Sequence, residues 1–184
     1  MRLLLIVPLC LAAAACSGGD EASNNAAAAA PDKLPAGTWQ TNFEVTAFRS
    51  TDKTTPALKA VVGDKETATG CVTEAERARP APELFAGSGY KCSYSNSYFK
   101  DGMINASITC SRPELTGDIN MTVQGSYTAT TFEATIDGTS YLPGPGDFTM
   151  SRRVTGTVTP GVCQAAAPAD PNAKGGKPKG KAGG

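Results

Sequence analysis

The chain contains no histidine, so Ser-His-Asp and Cys-His catalysis and histidine metal ligation are closed to it. Carboxylates, arginines, lysines and hydroxyls remain, and two places gather them. Glu74, Glu76, Arg77 and Arg79 crowd into one short stretch. Such a cluster could form a recognition patch or a carboxylate acid/base pair, and the same pattern arises from local ion pairs on a solvated helix face. Arg152 is the second place. In Met150-Ser-Arg-Arg-Val154 strict alternation points Arg152 to the side of Met150 and Val154. An inward arginine needs a partner or a wet cavity, which would make it an anion contact inside an open barrel mouth. A bulge at Arg152-Arg153 would instead turn both residues outward, or the side chain would snorkel at the rim. Trp39 joins Arg152 as a candidate ligand contact. With Tyr90, Tyr94, Tyr98 and Tyr127 it could line a groove, although all five fall on expected core faces. No catalytic residue, metal ligand or cofactor is assigned. Gly87, Gly89, Gly144 and Gly146 lack the strand–loop–helix setting and the lysine of a phosphate loop, and read as turns.

Those side chains need a scaffold, and Tyr90 to Ser111 is its clearest stretch. It reads as a hairpin with a three-residue loop, Lys100-Asp101-Gly102, in which Gly102 takes positive φ. That register sets Tyr98 opposite Ile104, Asn96 opposite Ala106, Tyr94 opposite Ile108 and Cys92 opposite Cys110. One face is apolar and the other a polar ladder. Cys92 and Cys110 then fall on a non-hydrogen-bonded pair, close enough for a disulfide. Cys71 and Cys163 are left to form the second bridge, as suits an exported domain. Zinc is the weaker use of four cysteines that include no C-x-x-C pair.

Both ends differ in composition from the middle. Met1-Arg2 and the apolar run to Ala15 make a signal peptide over residues 1–15, too short to span a bilayer. Leu11 to Cys16 resembles the bacterial lipoprotein box, which implies diacylation of Cys16. With Ser17 next, the resemblance implies the outer membrane of a Gram-negative cell. Residues 16–33 are small and polar and read as the lipidated cysteine plus a flexible tether. Residues 164–184 read as a disordered Gly/Lys/Pro tail whose lysines either attract anionic lipid or are merely solvated. Equal numbers of basic and acidic residues, 17 each, give no field for nucleic acid.

Residues 34–163 form the folded part. Trp39, Phe43, Val45 and Ala47 alternate as a first strand, and Leu58, Ala60 and Val62 as a second. Thr73 to Glu76 is a capping-box pattern opening a short helix over Glu74 to Arg79. Pro82 to Ala86 reads as one further turn with Leu84 and Phe85 as a plug. Residues 119–128 and 132–136 form a second hairpin about Ala129-Thr130, pairing Tyr127 with Phe132 and Val123 with Ile136. Phe148, Met150, Val154 and Val158 mark the last strand. Gly125 and Gly156 lie on inner faces, where a sheet bends or a large side chain packs. The expected fold is mainly β: an antiparallel meander curling into a barrel or half-barrel, with one short helix and two disulfides.

Gly37-Thr38-Trp39, Cys71-Val72-Thr73, Cys92, Cys110 and the closing Gly161-Val162-Cys163 resemble the bacterial domain of unknown function 3617. Its members are mostly small exported proteins and lipoproteins. The resemblance implies export and disulfides and supplies no catalytic residue; the glutamate that usually follows the tryptophan is Gln40 here. The expected function is a non-enzymatic binding or accessory module. It would be held to the membrane through Cys16, would face the periplasm, and would meet an envelope protein or a small ligand. The alternative is an envelope hydrolase or transferase using carboxylates.

Overall fold

The computed structural model describes residues 30–161 and 163. The signal-peptide, lipidation and tail assignments lie outside these residues, apart from the last four positions of the tether. There the chain is already held: the Asp32 carbonyl accepts the Tyr127 hydroxyl at 3.1 Å and the Asp101 amide at 3.2 Å.

Seven strands make one antiparallel sheet: β1 (Gly37–Ser50), β2 (Lys65–Val72), β3 (Lys91–Lys100), β4 (Met103–Ser111), β5 (Asp118–Tyr127), β6 (Thr131–Tyr141) and β7 (Phe148–Thr159). Their order is β2-β1-β7-β6-β5-β4-β3, so the long strand β7 pairs with both β1 and β6 while β2 and β3 are the edges. The sheet curls into a half-barrel around residues that alternate inward: Ile119, Met121 and Val123 on β5, Phe132, Ala134 and Ile136 on β6, Phe148, Met150 and Val154 on β7. A helix, α1 (Glu83–Ala86), touches both edge strands and drops Leu84, Phe85 and Ala86 into the gap between them. Phe85 stacks on Phe99 of β3 and tilts against Phe132 of β6, each with ring centroids 5.4 Å apart. The Leu84 and Phe85 plug is as the sequence suggests. The helix expected over Glu74 to Arg79 is only a 3-10 turn, Glu74–Glu76.

Both bridges form, Cys92–Cys110 with Cα atoms 4.1 Å apart and Cys71–Cys163 at 5.7 Å. The second hairpin keeps the expected register throughout. The first needs correction at its tip. Its loop is the two-residue Asp101-Gly102, both at positive φ, the turn that matches strand twist. Phe99 therefore pairs with Ile104, and Tyr98 with Asn105. A bulge at Ser95 then absorbs one residue and restores Tyr94–Ile108 and Cys92–Cys110. Phe99 is buried in consequence, and Tyr98 lies outside the core.

Two strand assignments change as well. β1 bulges between Val45 and Ala47, so Phe48 rather than Ala47 turns inward beyond it. Residues 58–62 are loop, and the second strand is the later, more polar Lys65–Val72. Its inward positions are Glu66, Ala68 and Gly70, which give no run of large apolar residues to read.

Candidate functional site

Alternation along β7 is unbroken, so Arg152 does point inward, at 4% exposure. The bulge that would have turned it out lies instead on the neighbouring strand β1, opposite residues 151 and 152. Around Arg152 is an open cavity of about 330 Å³. Phe43 and Val45 of β1 and Met150 of β7 give it apolar walls, and Leu58, Lys59 and Ala60 of the β1–β2 loop its rim. Asp64, Lys65 and Glu66 close one side; Tyr90, just before β3, and Arg112, just after β4, close the other.

The Arg152 guanidinium lies over two rings, 5.2 Å from the Phe43 centroid and 5.3 Å from that of Tyr90. Its Nη2 donates to the Ala86 carbonyl of α1 at 2.7 Å. Among the described residues its buried Nε has no hydrogen-bond partner and no carboxylate lies within ion-pair distance. Glu66 comes near without pairing. A Cβ on Gly87 would sit 3.4 Å from Arg152 Nη1 and 3.3 Å from Glu66 Oε1, so a side chain there would crowd both. Glu66 is engaged elsewhere, accepting the Ser88 amide at 2.7 Å. Burial pulls the Arg152 guanidinium below its ordinary range, against the attraction of Tyr90 and Glu66. A buried cation with an unpaired donor costs several kcal/mol unless something compensates it. The two ring contacts offset about 1–4 kcal/mol.

Arg112 shares the Tyr90 ring, with its Cζ 4.4 Å from the centroid, and pairs with Glu114. It was absent from the sequence-based candidates. Its signal was the inward series Ile108, Cys110, Arg112, which runs one residue beyond the strand end. Trp39 is placed elsewhere: fully buried, tilted on Phe132 at 5.2 Å, its indole donating to the Pro35 carbonyl at 3.1 Å, and outside the cavity lining. Tyr127 is likewise core. The charged cluster resolves into local roles. Glu74 pairs with Arg77 at 3.3 Å, Glu76 accepts the Thr73 amide and hydroxyl, and Arg79 lies 5.4 Å over the Tyr94 ring.

The rim loop is fixed by one carboxylate. Asp52 Oδ1 accepts the Ser50 and Thr54 hydroxyls and the Thr54 amide, while Oδ2 accepts the amides of Gly146 and Asp147. The Thr54 and Gly146 amides hold its carboxyl well below the usual carboxylate range. A depressed folded value means stabilisation that is present above the unfolded pKa, about 4, and lost as pH falls through the lower folded value. Asp52→Ala should therefore raise amide hydrogen exchange at residues 53–64 at least tenfold at pH 7, with strand amides unchanged. Wild-type protection there should fade only well below pH 4, after correction for intrinsic rates. Unaltered loop protection in the variant would contradict this role.

The class defined here is a disulfide-closed antiparallel half-barrel with a helical plug and a cationic cavity beside it. The family model described as a protein of unknown function (DUF3617) matches residues 34–163. The chain belongs to that family, and the match spans the whole β domain. No curated protein and no solved structure matches it.

Proposed function

We propose that the protein is an outer-membrane lipoprotein, acylated at Cys16 and facing the periplasm, whose half-barrel mouth binds a small anionic ligand without transforming it. The lipoprotein part rests on the sequence of residues 1–17 and on two disulfides that suit an oxidising compartment. The binding part is carried by one observation, the buried guanidinium of Arg152, a residue that lines the cavity and whose Nε has no partner among the described residues. The carboxylates nearest it favour binding over acid/base chemistry, since Asp64 accepts the Val61 amide at 2.7 Å and Glu66 the Ser88 amide.

Each part has its own test. Wild-type protein should take up labelled palmitate and fractionate with membranes, and Cys16→Ser should abolish both; an unlabelled wild type would remove the lipoprotein reading. For binding, the Arg152 Nε–H signal is followed by NMR while acetate, chloride or inorganic phosphate is added. A saturable shift with any of them supports the site, and no response to any of the three removes it.

A further inference from the structure

We infer that the ligand of this cavity is an amphiphilic monocarboxylate, a single carboxylate on an apolar body with about ten non-hydrogen atoms in all; this rests on the anion-binding reading above. Three observations carry the class. The first is the donor. Arg152 presents a planar fork whose Cζ lies over the Phe43 and Tyr90 rings and whose Nη2 is partly used by Ala86. A guanidinium's remaining N–H donors lie in its plane, the geometry a carboxylate accepts.

The second is charge. The cavity is lined by four cationic side chains, Lys59, Lys65, Arg112 and Arg152, against two carboxylates, Asp64 and Glu66. Arg112 already pairs with Glu114. A monoanion satisfies the unpaired Arg152, whereas a dianion would bring a second charge towards the Glu66 carboxylate, which lies near Arg152 Nη1 across Gly87.

The third is the wall. Phe43, Val45, Leu58, Ala60 and Met150 give the cavity an apolar part against which a hydrocarbon body can lie. At about 30 Å³ per water-sized group, 330 Å³ accommodates about ten such groups. Val61 and Val62, 67% and 60% exposed on the adjoining loop, extend apolar surface outward past the rim.

The probes are octanoate, octan-1-ol and inorganic phosphate, each titrated into the disulfide-bonded domain by calorimetry and by NMR at the Arg152 Nε–H. Octanoate should bind at least tenfold more tightly than either comparator and shift that signal. Arg152→Gln should weaken octanoate more than tenfold. If that variant does not fold, Ala60→Glu, at the half-buried rim, should repel octanoate by a similar factor in an intact sheet. Equal or tighter binding of phosphate would overturn the monocarboxylate class and leave the anion site standing. Equal binding of octanol would show an apolar pocket in which Arg152 takes no part, and would overturn the class. Absence of any Arg152 response to octanoate and phosphate alike would overturn both the class and the site.

Discussion

Gly156→Ala should lower the melting temperature by about 10 °C, a loss of about 3 kcal/mol for a domain of this size. Gly156 lies on the inner face of β7, opposite Thr41 on one side and Phe132 on the other. A Cβ there would be driven into the Phe132 ring. That ring has no room to withdraw, because Trp39 tilts against it at 5.2 Å and Phe85 at 5.4 Å, all three being buried. Close-packed interiors meet an added methyl with off-rotamer side chains or backbone shifts, and the cost is set by what blocks the retreat. Two comparisons isolate the cause. Gly144→Ala, in open space, should change the melting temperature by under about 2 °C. Phe132→Leu should recover about half of the Gly156→Ala loss when the two are combined, since neighbours in contact couple. Additive losses in that double variant would show that Gly156 is needed for its backbone and not for the ring above it. Gly125 is another such position, where a Cβ would strike the backbone of β6.

Both glycines were legible as inner-face positions, because each interrupts a clean alternation of apolar residues. So were the second hairpin, the Cys92–Cys110 bridge and one of the two readings of Arg152, for the same reason: strands buried on one side must keep a period of two, whereas Cys71–Cys163 followed by elimination. The errors arose where that period is broken. A three-residue loop and unbroken pairing outward from it reach Cys92–Cys110 just as well, because nothing in Tyr94-Ser95-Asn96 signals that Ser95 is a bulge. Asp101-Gly102 was the better guide, being a strong two-residue hairpin signal in its own right. The bulge after Val45 likewise inverted the faces of Ala47 and Phe48. Leu58 and Ala60 alternate as a strand would, yet they serve as the apolar rim of a cavity. The true β2 hid because an edge strand can be built from threonines, Glu66 and Lys65. Missing β2 meant missing Glu66. The site itself was half visible: alternation delivers Arg152, while Tyr90 and Arg112 reach it only through the curl of the sheet, which no local pattern encodes.

Arg152→Met should separate stability from binding more sharply than any other change in this domain. Core residues of similar burial, such as Phe132, should cost about 3–5 kcal/mol when truncated to alanine. Arg152 differs because its charge is buried without an ion pair and with Nε unsatisfied. Methionine fills comparable space with no charge to desolvate, and apolar replacement of buried ionic groups is often neutral or stabilising by about 1–4 kcal/mol. Against this stand the contacts to Phe43 and Tyr90, which a thioether largely keeps, and an Ala86 carbonyl left without its Arg152 donor, about 1–3 kcal/mol. The two sides nearly cancel, so the melting temperature of the unliganded variant should stay within about 4 °C of wild type. Ligand should then reveal the difference. At one hundred times its dissociation constant, octanoate would stabilise the wild type by about 2.7 kcal/mol, or about 10 °C, and leave Arg152→Met unmoved. A variant that melts far below wild type would mean that Arg152 is a structural strut between β7 and α1. Equal octanoate-induced shifts in the two proteins would mean that the apolar wall alone accounts for binding. Near-equal melting without ligand and a shift confined to wild type would identify Arg152 as a buried cation retained for its anion.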